Sequence, residues 1–382
     1  MKIQLFTDLR FTTNPRPTGV GKHIVQLATG LASSEAHDLS LLVAGDQAAQ
    51  HQAGALAAMD GHRLPLPWKA SEAVWNLTGR PYMDRWSDQP DWVYCPKNDF
   101  IPIKHSRVAV TIHGAHELDP EFPQSSNLSS RINRIRRRLS YRRMLEQADL
   151  VFTVSTFLQQ QMMDWFQVPE EKFCVVGNGV ESEFFEAAEL PFGRSGERDR
   201  GPYVLCVGGL NRLDGGDRML RLAAALQASA PEMRVLLAGA DHEADLLAQA
   251  EAHPNLQLLG YTLPQQLAAY IKDAVALFYP TRYETFGIAA AEAMAVGTPV
   301  VTCRSTAIPE IVADAGIYVN PDNADESADV ISNLLRDSSL WQNHSSLGIE
   351  RARAYSWQAC VDRVGDAFLT NGWHGKVTLK IK

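Results

Sequence analysis

No apolar run in this 382-residue chain approaches the roughly 20 residues needed to cross a bilayer as a helix. The amino terminus (residues 1–7, MKIQLFT) enters a strand pattern at once, without the basic start and apolar stretch of a secretory signal. Positive charge is scarce: the formal net charge is −8 at pH 7, which argues against a general nucleic-acid binder. Cysteine occurs five times (Cys95, Cys174, Cys206, Cys303, Cys360), with neither metal-ligand spacing nor a pairing pattern. Several of these lie in apolar strand-like runs, so buried free thiols in a reducing compartment are expected. Together these absences point to a soluble, cytoplasmic protein.

What is present is globular. Hydrophobic residues make up 45% and charged residues 21% of the chain, far from a disordered composition. The length exceeds one ordinary core and suits two domains. Strands are expected at 3–6, 39–43, 92–94, 108–112, 150–154 and 174–176, then at 203–207, 235–238, 256–259, 275–279, 299–302 and 317–319. Helical periodicity lies between them, as at 21–31 and 217–227. Such alternation predicts an α/β architecture of two Rossmann-like, doubly wound parallel sheets. The charged, Gly- and Pro-containing segment 186–201 reads as a linker between a first domain (1–185) and a second (202–355). In the closing segment 356–382, Trp357, Val361, Val364 and Phe368 share one helix face. That helix either closes the second domain or crosses back to the first. The crossing is favoured, because the second sheet has helices enough without it.

Glu284 and Glu292 stand eight positions apart. Apolar Val275–Tyr279 ends at Pro280, a short loop follows, and a helix begins near Gly287. Glu284 therefore sits in a loop at the carboxyl end of a strand, where open α/β sheets bind ligands. The free N–H groups of the helix start, Gly287 to Ala289, form an anion site. Glu292, just over one turn inside, can accept from two vicinal hydroxyls such as those of a ribose. The plain alternative is an acid stabilised by the helix dipole. Anion cradle, diol acceptor and loop carboxylate together describe a nucleotide-sugar pocket.

The string Glu284-x7-Glu292, with Phe286-Gly287 after the first acid and Glu292-Ala-Met-Ala-x-Gly297-x-Pro299 after it, resembles the signature of the glycosyltransferase group 1 family. These are retaining enzymes of the GT-B fold, in which two Rossmann-like domains face a cleft and a closing helix crosses back to the first. The resemblance implies transfer of a hexose-type sugar from a nucleotide-diphospho-sugar to an acceptor hydroxyl, on a sugar or a lipid-linked acceptor. It implies neither metal nor cofactor, in keeping with the lack of an Asp-x-Asp motif at this site. The resemblance further implies that the leaving diphosphate takes the acceptor's proton while the protein supplies positioning and electrostatics. By the same resemblance Glu284 holds donor-sugar hydroxyls, Glu292 holds the ribose, and the amides of Phe286, Gly287, Ile288 and Ala289 face the sugar and phosphates. Gly19 and Gly21 match a family Gly-x-Gly near the donor phosphates, although a tight strand-to-helix turn explains them equally. His113, at the carboxyl end of a buried strand, is by position a satisfied core histidine and by resemblance a contact of the donor sugar. Asn178-Gly179-Val180 looks like the family's turn before the hinge and is expected to be structural. Glu310 matches a family helix start, with a capping role equally open.

The pattern breaks in residues 207–218 (VGGLNRLDGGDR), which otherwise look like the family's donor-phosphate loop with Gly208 and Gly209. Where the family carries an Arg-Lys pair, this chain has Leu213 and Asp214; Arg212 is one residue early and Gly215 holds the expected glycine. Aspartate for lysine turns attraction to repulsion, on the order of several kcal/mol at about 4 Å and an effective dielectric of about 20. Three explanations stay open. Arg212 or Arg218 supplies the charge, helix N–H groups hold the diphosphate, or the protein is a catalytically silent binder. Seven arginines lie between 131 and 143. Of these, Arg131, Arg134, Arg138 and Arg142 fall within about 80° on a helix, beside an apolar stripe of Ile132, Ile135 and Leu139. That face either meets anionic membrane headgroups or a phosphate-bearing lipid, or is a solvated basic face packed by its apolar edge.

Overall fold

Each strand segment expected from the sequence is a strand in the structure, a computed structural model that describes residues 1–119, 128–192 and 201–370. By contacts the chain divides into two units, Met1–Asn178 with the segment from Trp357 onward, and Gly179–Ser356. The division at Asn178 precedes the segment 186–201 that composition marks as a linker. A short helix, Ser182–Ala188, belongs to the second unit, and 193–200 lie outside the described residues.

The first unit carries β1 (Lys2–Phe6), β2 (Asp38–Val43), β3 (Gly61–Arg63), β4 (Trp92–Cys95), β5 (Arg107–Ile112), β6 (Leu150–Thr153) and β7 (Phe173–Val175). They form a parallel sheet in the order β3-β2-β1-β4-β5-β6-β7. β3 escapes sequence reading because Gly61-His62-Arg63 is three residues long, lacks apolar side chains and lies on the sheet edge. The inward faces of β1, β4 and β6 pack on the helix Gly19–Ala32 and on the closing helix Trp357–Thr370. Phe368 meets the rings of Trp92, Tyr94 and Phe152 at 5.3, 5.4 and 5.4 Å. Gly30 lets Val361 approach to where a Cβ would stand, 2.5 Å away.

The second unit repeats the winding with β8 (Tyr203–Val207), β9 (Arg234–Ala238), β10 (Leu256–Gly260), β11 (Leu277–Tyr279), β12 (Val300–Thr302) and β13 (Gly316–Tyr318). Its order is β10-β9-β8-β11-β12-β13, all parallel. Both sheets therefore reverse direction beside their first strand, at β1/β4 and at β8/β11. In doubly wound sheets that reversal opens a crevice at the carboxyl ends of the strands, where ligands bind. Each of the five cysteines is free, and burial pushes their thiols up, that of Cys360 to about 12. Among the described residues no helix is long and apolar enough to cross a membrane.

Candidate functional site

In the second unit, the loops after β8 and β11 meet at the switch point. Gly215 has no room for a side chain, since a Cβ there would stand 2.3 Å from the Pro280 carbonyl. The Arg282 amide donates to the Leu213 carbonyl at 2.9 Å, and the Arg282 guanidinium reaches the Arg212 carbonyl at 2.7 Å and Asp217 at 2.6 Å. That ion pair holds Asp217 below the usual carboxylate range. The two loops thus form one rigid rim.

Glu284 sits on this rim and is held at nearly every polar atom. Its amide donates to Thr306 Oγ1 at 2.8 Å, and its carbonyl accepts from Ala307 at 3.2 Å. Its carboxylate accepts the Tyr279 hydroxyl at 2.6 Å and the amides of Thr285 and Phe286 at 2.9 and 3.3 Å. Burial, reinforced by the adjacent Glu284 carboxylate, drives the Tyr279 phenol well above its ordinary range, so Tyr279 stays a donor. Thr306 has φ +47°, a backbone region that a β-branched residue rarely adopts. Such strain persists where the surroundings over-determine it, which is common at functional sites.

The helix Ile288–Val296 starts on Gly287, whose φ of +95° and Ile308 neighbour exclude a side chain. From Ala289 to Val296 every residue is buried, and apart from Glu292 each is apolar, as in helices enclosed on every face. Glu292 is buried in it, one turn from the N-terminal amides of Ile288 and Ala289. At 3% exposure this carboxylate is not a solvated surface acid.

In the loop after β8, Asp214 takes a role no lysine could. Its carboxylate accepts the Gly209 amide at 2.7 Å and Asn211 Nδ2 at 3.0 Å, and its own amide donates to Asn211 Oδ1 at 2.9 Å. The Gly209 side is closed as well, because a Cβ there would stand 2.2 Å from Asn211. Gly208 has φ +136°. Both arginines expected to supply charge are already engaged. Arg212 is exposed and paired with Glu243 and with Asp245 at 2.5 Å. Arg218 donates to the Pro280 carbonyl at 3.0 Å and pairs with Asp322 at 2.6 Å.

Gly19, Gly21 and His113 belong to the first unit. Thr18 caps the helix Gly19–Ala32, and a Cβ on Gly21 would stand 2.7 Å from the Phe11 carbonyl. The tight-turn reading therefore suffices for Gly21. His113 follows β5; its amide donates to Asn98 Oδ1 at 3.1 Å and its Nε2 donates to the Pro96 carbonyl at 2.8 Å. Burial, with a smaller push from the Lys97 charge, lowers its pKa to about 4, so the ring is neutral at physiological pH. Glu310 lies in the short helix Ile308–Val312, and the Glu310 carbonyl accepts from Arg351 at 2.6 Å.

Two family models match this chain, "Glycosyltransferase Family 4" over residues 17–184 and "Glycosyl transferases group 1" over residues 201–337. The chain belongs to the group 1 glycosyltransferases. It is 25% identical over 378 residues to the O-antigen chain mannosyltransferase B of Escherichia coli, covering 92% of this chain and 96% of that one. Over 274 residues it is 23% identical to the D-inositol 3-phosphate glycosyltransferase of Corynebacterium aurimucosum, covering 67% and 65%. Its fold matches WaaG, a glycosyltransferase involved in lipopolysaccharide biosynthesis, with TM-score 0.72, 15% identity, and coverage of 97% and 100%. Anabaena HepE, solved with UDP and glucose, superposes with TM-score 0.68 at 16% identity, covering 97% and 100%. The fold is GT-B.

Sequence reasoning on this glycosyltransferase missed Tyr279, Thr306 and Asn98, the residues that hold Glu284 and His113 in place. Their common signal is position, each standing at or just past the carboxyl end of β11, β12 or β4. Asn178, read as part of a structural turn, is buried, and its Oδ1 accepts from His23 Nδ1 at 2.8 Å. The arginine helix Leu128–Gln147 is divided in two. Tyr141, Met144 and Leu145 are buried, whereas Ile132, Ile135 and Leu139 are 55%, 63% and 45% exposed. Of the four arginines on the candidate membrane face, Arg142 pairs with Glu146 at 2.9 Å and Arg138 lies over the Phe166 ring. Arg131 and Arg134 remain exposed beside the apolar stripe.

Proposed function

We propose that this glycosyltransferase takes a nucleotide-diphospho-sugar on its second unit and moves the sugar to an acceptor hydroxyl with retention of configuration and without a metal ion. The reaction would serve synthesis of a polysaccharide, glycolipid or other glycoconjugate. The observation carrying this reading is the constellation at the β8/β11 switch point. Glu284 is held on the rim by hydrogen bonds, and Glu292 is buried one turn inside a helix whose N-cap, Gly287, makes no side-chain capping bond, the kind of helix start that suits an anion. A relative named for O-antigen mannosyl transfer and a structural neighbour holding UDP and glucose support it.

In this reading Glu292 accepts from the ribose diol, the amides of Phe286 to Ala289 face the diphosphate and sugar, and Glu284 orients the donor sugar. His113, on the first unit, carries a neutral ring, and its part as a donor-sugar contact comes from the family resemblance alone. The bond from C1 to the leaving phosphate oxygen breaks as the acceptor oxygen bonds C1 on the same face. The acceptor's proton passes to the departing phosphate oxygen. Preorganised dipoles, which cost no reorganisation in the reaction, supply the stabilisation. The exposed stripe of Ile132, Ile135 and Leu139 beside Arg131 and Arg134 would dock the enzyme peripherally on an anionic cytoplasmic membrane face.

A second reading, a silent nucleotide-sugar binder, is favoured by one observation. Asp214 already accepts the Gly209 amide, and Arg212 and Arg218 are both neutralised by acids. A thermal-shift screen with UDP-, GDP-, ADP- and dTDP-sugars, followed by NMR of the product anomer with and without chelator, separates them. Shifts with no product under any acceptor would establish the binder. An inverted anomer, or activity abolished by chelation, would overturn the mechanism.

A further inference from the structure

His23 lies in the first turns of the helix Gly19–Ala32 and has no exposed surface. Its Nδ1 stands 2.8 Å from Oδ1 of Asn178. An amide oxygen can only accept, so Nδ1 carries the proton and Nε2 is left a lone pair. Among the described residues Nε2 has no hydrogen-bond partner. A buried polar atom left this way costs about 1–3 kcal/mol, which a leucine of similar size would avoid. A ring that breaks a local rule of packing calls for a reason beyond packing.

Its neighbours supply that reason. The His23 ring meets the His113 ring edge to face, with centroids 4.5 Å apart and planes at 88°. It meets the Trp357 ring at 5.9 Å and 73°. Asn178 is the last residue of the first unit before the chain leaves it, and Trp357 is the first after the chain returns. A single buried imidazole therefore touches both points of passage and the one histidine at the carboxyl edge of β5. His113 is bonded at Nε2 to Pro96, so its tautomer is set on one side and its tilt is set where His23 packs.

We propose that His23 is a positioning residue for the transfer reaction, holding the His113 ring at the tilt that keeps its Nε2 on the Pro96 carbonyl and tying that ring to Asn178 and Trp357. The proposal rests on the reading of His113 as a contact of the donor sugar. The test uses the full chain with labelled histidines and reads His113 imidazole nitrogens by NMR, alongside kcat and the Kd for nucleoside diphosphates. In wild type His113 should show one Nε2-protonated tautomer. His23→Phe keeps the ring volume but removes the bond to Asn178. It should give averaged tautomer signals for His113 and lower kcat about tenfold or more, with nucleotide Kd within about twofold. His23→Gln, whose amide can still donate to Asn178, should restore part of both. Should His23→Phe not fold, Asn178→Ala frees the same ring while leaving it in place, and the same His113 change is expected. Unaltered His113 signals in both variants would overturn the assignment. So would a kcat loss matched by weaker nucleotide binding and not relieved by His23→Gln, the signature of general damage. His113→Ala separates the two layers. If it keeps full turnover while His23→Phe still disturbs the His113 signals, the positioning of the ring stands and the role given to His113 falls.

Discussion

The Tyr279 hydroxyl donates to the Glu284 carboxylate at 2.6 Å, from the last residue of β11 to a loop residue five positions on. Two loop amides complete the carboxylate's shell, so its position is decided by backbone and strand rather than by solvent. Removing the phenol oxygen tests what that fixation does. Tyr279→Phe should lower kcat by about 10- to 100-fold, the equivalent of about 1–3 kcal/mol for a bond to a charged group. Nucleotide affinity by calorimetry should barely move, because Glu292 and the helix amides are untouched.

Glu292 should behave in the opposite way. Glu292→Gln preserves the packing of a buried position and removes the charge. Nucleoside diphosphate binding should weaken by about 1–3 kcal/mol, as expected for charge-assisted bonds to a diol. Glu284→Ala should instead depress turnover more than affinity. Matching behaviour of the two variants in both assays would mean that their roles are not divided as proposed.

Asp214 offers the sharpest contrast with the family pattern. Asp214→Asn removes one negative charge beside the proposed diphosphate while leaving a side-chain oxygen to face the Gly209 amide. Diphosphate affinity should rise by about tenfold or more, an increment of about 1.4 kcal/mol. Freeing Arg212 with the double change Glu243→Gln and Asp245→Asn should lower the donor KM further. Arg212→Ala alone should change little, since that guanidinium is turned onto Glu243 and Asp245. A large loss of activity in Arg212→Ala would show that it swings back onto the donor.

Acid should destabilise the first unit through its neutral histidines. His113 titrates near 4 in the folded chain against an ordinary 6.5, and burial likewise holds His23 well below its ordinary range. The unfolded chain therefore takes up these protons first as pH falls. Stability present above about 6.5 is lost progressively toward 4, by up to about 3 kcal/mol for His113, reduced because the residue is only partly buried. Urea unfolding at pH 7, 6 and 5 should show a steeper decline in wild type than in His113→Phe. Parallel declines would mean that His113 contributes nothing to the slope.

The arginine helix should confer salt-sensitive binding to phosphatidylserine vesicles. Arg131→Glu with Arg134→Glu should abolish sedimentation with them, and Ile132→Ser with Ile135→Ser should weaken it independently of salt. Indifference of binding to both pairs would return this face to a solvated one.

Much of this enzyme is determined by its sequence alone. Apolar runs of strand length alternating with helical periodicity depend on neighbouring residues, so both sheets were legible down to their strand positions. The exception was β3, whose three residues carry no apolar pattern. Glu284, Gly287 and Glu292 were legible for the same reason: a strand, a turn and a helix start within one short segment set their places by local geometry. The partners of those residues were decided only by tertiary structure. Thr306 reaches Glu284 across 22 positions, Glu243 and Asp245 take Arg212 across 31 and 33, and Asn178 faces His23 across 155. Which cation meets which carboxylate, and whether a glycine in a motif opens a site or merely clears a carbonyl, follows from how strand ends are brought together. Such pairings depend on packing and on the desolvation of each group, and neither leaves a pattern at fixed spacing along the chain.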